Sequence, residues 1–279
     1  MKWGASYLAK FGILGGLWLL LVACAWRSEA LPPPGELVLA SPPQTAVTTL
    51  ANLHDVTVPE NDRVAVAAAY QGVAAPRVAR SVPPDLATGD SDAFWVKNFE
   101  TQANRQLTAV LRYVSPELLL WVEEGVRVND ADLAAAAARI EGEILPTSRA
   151  SFGREWSPGV DGDPRLTILH VEDVGGVATA YFDYANQYVT AVNPYSNQRE
   201  MLTVGLETAP LGSETYYNAI THELQHLIQW DSDGNEEAWL NEGMAELASL
   251  LAGFPAERAR DYAENPDVQL TNLSQQPDV

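Results

Sequence analysis

Apolar residues in the middle of the chain occur in short runs that polar turns separate. Runs of this kind predict strands over residues 94–96, 107–114, 118–122 and 166–171, the last nearly continuous as for a buried strand. Residues 201–206 alternate between apolar and polar, which predicts a half-buried strand at a sheet edge.

Three later segments have the helical period. Asn129 or Asp130 can cap a helix over residues 133–145 that we expect to end before Pro146. Ser213 can cap a second helix, and a third is predicted over residues 237–252. The second helix has its apolar face at Tyr217, Ile220, Leu224, Leu227 and Ile228, while the third has Leu240, Leu247 and Leu251 inward and Gly253 as its stop. Together these elements predict an α+β fold, with a mixed sheet packed on the second helix.

Composition narrows the class of protein. The chain has 279 residues, of which 47% are hydrophobic and 19% charged, as in globular domains with a sizeable core. The formal net charge of −20 argues against a nucleic-acid partner, because phosphates need a basic face. Nothing in the sequence indicates an oligomeric state.

The N-terminus is predicted to be an export signal over residues 1–23. Its apolar run, residues 11–23, is too short for a membrane helix, which needs about 20 residues. Cys24, the only cysteine, follows Leu21-Val22-Ala23, which resembles the lipobox of bacterial lipoproteins. That resemblance implies a lipidated N-terminus at Cys24 and a membrane-anchored, extracytoplasmic protein. An ordinary secretory signal or an uncleaved anchor remains an alternative.

Three further regions are expected. Residues 24–46 are rich in proline and predict a stiff tether. Residues 47–89 have a weak pattern and are expected to form a poorly defined or propeptide-like segment. Residues 90–279 are predicted to form the main domain.

The strongest chemical motif is His222-Glu223-Leu224-Gln225-His226, which contains two of the four histidines. Four residues turn a helix by about 400°, so both imidazoles share one face and can bind zinc. Glu223 lies about 100° away and can act as general base on a metal-activated water. Glu242, on the following helix, is the best candidate for the third ligand.

The same motif followed by Asn241-Glu242-Gly243-Met244-Ala245-Glu246 resembles the gluzincin metallopeptidases. The wider context resembles the hyicolysin-type and immune inhibitor-type secreted bacterial neutral proteases; it consists of Asn193-Pro194-Tyr195-Ser196-Asn197, the strand after it and Trp239-Leu240-Asn241-Glu242-Gly243. Gln225 favours the hyicolysin type, because the immune inhibitor type typically has glycine just before the second histidine. The resemblance implies a zincin-like fold and a secreted zinc endopeptidase acting on peptides or proteins. It also implies zinc ligation by Glu242 and an outer contact from Glu246 to His222.

Other interpretations remain open. Glu236 or Glu237 could replace Glu242 as ligand. The chain could also be a non-catalytic zincin-fold surface lipoprotein with a binding or adhesive role, or a plain lipoprotein with an accidental motif. The spacing of Asp231, Asp233, Asn235 and Glu242 is similar to that of the ligands in an EF-hand calcium loop. Glu236, however, stands where that loop needs glycine.

The residue that would stabilise an oxyanion is not evident. The candidates are Tyr181, Tyr184, Tyr216, Tyr217 and Tyr262. His54 and His170 are expected to be a loop residue and a hydrogen-bonded strand residue. The resembling proteases continue with a further helical lobe, so the resemblance implies either a reduced lobe or a truncated chain, in which zinc could bind while activity is weak or absent.

Overall fold

The computed structural model describes residues 63–72, 76–176 and 178–255, all within one compact unit, Val58–Val279. The predicted export signal, the lipidation site Cys24, the proline-rich tether, His54 and Tyr262 lie outside the described residues. Within the described part of the chain, no helix combines the length and apolar character needed to cross a membrane.

Six strands form one mixed sheet in the order β1-β2-β3-β4-β6-β5. The strands are β1 (Ser91–Lys97), β2 (Asn104–Val114), β3 (Leu118–Glu123), β4 (Leu166–Val171), β5 (Ala180–Phe182) and β6 (Met201–Gly205). β3, β4 and β6 are parallel, whereas β1, β2 and β5 pair antiparallel with their neighbours. The predicted strands of the mixed sheet are therefore confirmed.

The sheet curls, and a hydrogen bond to a tyrosine side chain links its two edge strands. The N–H of Lys97 in β1 donates to the hydroxyl of Tyr181 in β5 over 3.0 Å. Asn197 covers part of the β1 edge: its Oδ1 accepts from Trp95 N–H at 2.7 Å, and its Nδ2 donates to Trp95 O at 2.9 Å. These contacts satisfy backbone groups that an open edge strand would expose.

The helices are α1 (Arg63–Gln71), α2 (Asp130–Arg139), α3 (Leu145–Phe152), α4 (Glu214–Ser232) and α5 (Ala238–Leu251), with a 3₁₀ turn at Tyr184–Gln187. The helix predicted to end before Pro146 instead continues to Phe152. A π-helical turn, Ile140–Ile144, joins α2 to α3, and Leu145 N–H donates to Ile140 O. Pro146 then stands in the first turn of α3, where a missing N–H is tolerated.

Two apolar layers cover the two faces of the sheet. Leu120 and Val122 of β3 face the layer that contains α2 and α4, while Leu119 and Trp121 face the interior of the curl. β3 and β4 are thus buried on both faces, as parallel strands usually are. α4 packs against β5 and β6, which carries its histidines to one end of the sheet.

Two expectations about burial are wrong. β6 is not an edge strand: it lies between β4 and β5, and all five residues are buried. The adjacent edge is β5. On α5, Leu247 and Leu251 are exposed, and the helix packs through Ala245, Ala248 and Ser249 instead. Gly253 follows α5 with a φ of 90°, as its predicted role as the stop requires.

Candidate metal centre

Helix α4 carries two of the three possible metal ligands. Its N-terminus is capped as predicted, because Ser213 Oγ accepts from Tyr216 N–H over 3.1 Å. Ile220, Leu224 and Leu227 are fully buried against the sheet. The opposite stripe stays partly exposed and contains His222 and His226, whose ring centroids are 4.8 Å apart.

Helix α5 folds back on α4 and supplies the third side chain. Glu242 Oε2 lies 3.3 Å from His222 Nε2, and Glu242 Oε1 lies 3.7 Å from His226 Nε2. Ligand atoms of the three residues lie within 4.8 Å of one another, so the group could hold a metal ion. The predicted grouping is confirmed, and it is the only cluster of at least three histidine, cysteine or acidic residues so placed in the described part of the chain.

The donor set fits zinc. Two imidazole nitrogens and a carboxylate oxygen are ligands that zinc accepts at about 2.0–2.2 Å, which puts tetrahedral neighbours about 3.4 Å apart. The separations of 3.3 and 3.7 Å are close to that spacing. The imidazole and carboxylate groups are 12–30% exposed, so a fourth position can open to solvent.

Glu223 is anchored by the edge strand. Its Oε2 accepts from Phe182 N–H in β5 at 2.8 Å. Phe182 was not anticipated from the sequence, because a backbone donor has no side-chain signature. The bond holds the Glu223 carboxylate where the histidine-bearing face of α4 meets the sheet edge.

Carboxylates surround His222. Burial lowers the pKa of its imidazole, but the hydrogen bond to Glu242 and the charges of Glu223, Glu242 and Glu246 outweigh burial and raise that pKa above its ordinary value. A metal cation would replace the proton in this negative environment. Glu246 is therefore near His222, while its predicted contact with the imidazole remains a prediction.

The alternative ligands lie elsewhere. Glu237 is the exposed N-cap residue of α5, and Glu236 Oε1 accepts from Glu237 N–H. Asp231 and Asp233 are exposed near the end of α4. Glu242, which the EF-hand interpretation needs as its last ligand, stands beside the imidazoles instead.

The four described candidate tyrosines have other contacts. Tyr216 hydroxyl is 2.8 Å from Nε2 of His170, whose Nδ1 is 2.9 Å from Trp121 O. This confirms His170 as a hydrogen-bonded strand residue. Tyr181 accepts from Lys97 N–H, and the ring of Tyr217 is covered by a guanidinium. The oxyanion role stays unassigned among the described residues.

An aromatic pair extends the site beyond the histidines. Trp230 follows His226 by one turn of α4, and its ring stacks on Tyr184 with centroids 4.5 Å apart. Arg63 of α1 donates to the Tyr184 hydroxyl at 2.8 Å. Trp230 was not predicted as a site residue, although His222, His226 and Trp230 are spaced four residues apart on one helical stripe.

Comparison of the chain with models of known protein families and with curated proteins gives no match. The function must therefore be inferred from the site itself.

Proposed function

We propose that the chain is a zinc-dependent endopeptidase with a zincin-like fold. The observation that carries this proposal is the convergence of His222, His226 and Glu242, with Glu223 on the same helix between the two histidines. Three protein ligands with a fourth position open are typical of catalytic rather than structural zinc. A zinc ion held there would supply Lewis-acid chemistry, lowering the pKa of water and polarising a carbonyl.

Glu223 performs the proton transfers. Its carboxylate accepts a proton from the attacking water and delivers it to the leaving amine. The Phe182 N–H occupies Oε2 and fixes the side chain, while Oε1 is the oxygen directed to the water in this proposal. Because the Glu223 side chain is already oriented, less conformational entropy is lost in reaching the transition state.

The free edge of β5 is the proposed place for the substrate backbone. Gly205 N–H donates to Thr179 O at 2.9 Å. Because backbone groups alternate in direction along an antiparallel strand, those of Tyr181 point toward β6, and those of Ala180 and Phe182 point toward the free edge. Because the Phe182 N–H is engaged by Glu223, an extended peptide can pair with the outward groups of Ala180 and with the Phe182 carbonyl. β5 provides this edge, whereas the strand predicted at a sheet edge over residues 201–206 is the internal β6.

The place of action is proposed from the N-terminal sequence. The export signal and Cys24 favour an extracytoplasmic domain that a lipidated N-terminus holds at a membrane. Peptides or proteins outside the cytoplasm are then the substrates.

A matched pair of variants tests the chemistry. Glu223→Gln keeps the acceptor for Phe182 N–H but cannot take a proton, so zinc content should stay near one per chain while casein hydrolysis is lost. Glu237→Gln, at an exposed carboxylate, should behave as wild type, and a chelator should abolish wild-type activity. Casein hydrolysis by Glu223→Gln at the wild-type rate would refute the mechanism. Zinc binding by a wild-type protein that hydrolyses no peptide would favour the non-catalytic alternative.

A further inference from the structure

A cavity of about 340 Å³ lies between the two edge strands, next to the proposed substrate path. One wall comes from β1 and the start of β2, the other from the end of β5 and the segment that follows it. The residues that line it include Trp95, Lys97, Asn104, Tyr181, Asp183 and Tyr195, together with Asn186.

The residues that line the cavity are mostly polar, and they include one positive and one negative side chain. Lys97, Asp183, Asn104 and Asn186 are among the lining residues. Asp183 Oδ1 accepts from Ala185 N–H and Asn186 Oδ1 accepts from Asn197 N–H, so their second polar atoms are the ones left for a ligand. An apolar group would leave these polar groups poorly hydrated. The charges of Lys97 and Asp183 offset each other, so the lining has no net charge to attract a cation or an anion, and its amides favour a neutral ligand with many donors and acceptors.

Aromatic rings complete the cavity. Tyr195 is 48% exposed and packs edge-to-face with Trp95, with ring centroids 5.0 Å apart. The negative face of an aromatic ring attracts the weakly positive C–H groups of a saturated ring. A pyranose has such C–H groups on its faces and hydroxyls around its rim. A cavity at the lower end of the size range of small-molecule sites suits one such unit.

The cavity adjoins the metal centre through β5. Phe182 contacts Glu223 through its backbone and packs on the α4 side of the sheet. Tyr181 faces the other side, and Tyr181 and Asp183 both line the cavity. Side chains of an extended peptide paired to β5 alternate in the same way, so those near the reacting bond point in turn toward α4 and toward the cavity.

We propose that this cavity binds a neutral sugar residue carried by a glycosylated peptide substrate. The inference rests on the proposed peptidase function for the peptide part, whereas sugar binding can be measured without catalysis. The sugar, held between Tyr195 and the amides, would position the peptide on β5. It would therefore increase kcat/KM for glycosylated peptides over the same sequence without sugar.

Two measurements test the proposal on the full-length chain. The first compares hydrolysis of one quenched-fluorescence peptide with that of its counterpart carrying a single threonine-linked N-acetylgalactosamine, moved through the two positions on either side of the cleaved bond. We expect kcat/KM to rise at least tenfold at one position. The second uses saturation-transfer NMR to detect the methyl glycoside of that sugar on zinc-loaded Glu223→Gln protein.

Matched variants assign the effect to the cavity. Tyr195→Ala and Asn104→Ala should reduce the ratio of glycosylated to plain kcat/KM to about one and remove the NMR signal. Gln106→Ala, two residues from Asn104 on β2, and Tyr70→Ala, at an 87% exposed tyrosine, should preserve both. Tyr195→Ala and Asn104→Ala are both included so that the test still holds if either of them fails to fold.

The outcomes separate the two proposals. If wild type cleaves no peptide, the peptidase proposal fails, yet a glycoside signal lost in Tyr195→Ala still supports the sugar site. Equal cleavage of plain and glycosylated peptides at every position overturns the glycopeptide inference. Absence of a glycoside signal overturns the sugar site itself. Binding of a free oligosaccharide without preference for the glycopeptide also overturns the inference and assigns the cavity to a polysaccharide.

Discussion

The backbone N–H of Phe182 donates to Oε2 of Glu223 at 2.8 Å, and this bond joins the sheet edge to the helix that bears both histidines. Phe182 belongs to β5, whose outward groups are the proposed partners of a peptide backbone. The backbone of β5 would therefore position both a paired substrate and the proposed base, Glu223. Small displacements of Glu223 should be costly for that reason.

Glu223→Asp tests this positional requirement. The variant keeps a carboxylate but withdraws it by one carbon–carbon bond, about 1.5 Å, so it cannot contact both Phe182 N–H and the water site. We expect kcat/KM to fall at least about 100-fold with zinc content unchanged, measured by peptide hydrolysis and metal analysis. Activity within threefold of wild type would show that the Phe182 contact does not set the position of the base.

Removal of single carboxylates should rank their roles in metal binding. Glu242→Gln takes a charged donor from the centre and should weaken zinc affinity at least about 100-fold, measured by competition with a chromophoric chelator. Glu246→Gln should weaken it about tenfold, the lower end for an outer partner of a metal-binding histidine. Glu237→Gln should leave it unchanged. A larger loss for Glu237→Gln than for Glu242→Gln would mean that the third ligand is misassigned.

Helix α4 and the metal group could be predicted because their signals are local. Ser213, the apolar stripe and the spacing of His222 and His226 all follow the helical period. Glu242 required one further step, namely that a short loop returns the next helix against α4. That inference is confirmed, because α5 packs against α4 and brings Glu242 to both imidazoles.

The edge strand could not be predicted, for a physical reason. β5 has three residues, fewer than a period-two pattern needs to be recognised. β6 alternates in polarity because Thr203 and Gly205 occupy positions that are nevertheless buried; the Thr203 hydroxyl hydrogen-bonds to Tyr181. Polarity therefore suggested an exposed face where a buried polar contact exists. The cavity walls come from distant segments, and only the curl of the sheet brings them together.

Stability should fall with rising pH because of Glu200. Burial raises the pKa of this carboxyl to about 8. The negative charge of Asp161 also raises the pKa, whereas the hydrogen bond from Val160 N–H lowers it. A folded-state pKa above the ordinary 4.5 means that the stabilisation is complete below about pH 4.5 and is lost as the pH rises through about 8. Glu200→Gln stays neutral, so its Tm advantage over wild type should grow by roughly 5–10 °C between pH 5 and pH 9.

The difference between the two proteins isolates Glu200. Titration of other buried groups, such as His170 with a pKa lowered by burial to about 4, affects both proteins alike and cancels. Glu124→Gln, at an exposed carboxylate, is the matched control and should track wild type across the range. Differential scanning calorimetry of the metal-free proteins provides the measurement. A Tm difference that is constant with pH would mean that Glu200 is ionised in the fold throughout.

The buried pair of Tyr216 and His170 predicts a stability cost that is separate from the metal. His170 Nδ1 donates to Trp121 O, so Nε2 is the acceptor for the Tyr216 hydroxyl. Tyr216→Phe keeps the ring but leaves this buried nitrogen without its donor, at a cost of about 1–3 kcal/mol. For a unit of this size, Tm should fall by roughly 3–10 °C at pH 7. Tyr217→Phe, one residue along the same helix, should lower the Tm by less than half of the decrease seen for Tyr216→Phe. Equal losses in the two variants would show that packing, rather than the hydrogen bond to His170, accounts for the effect.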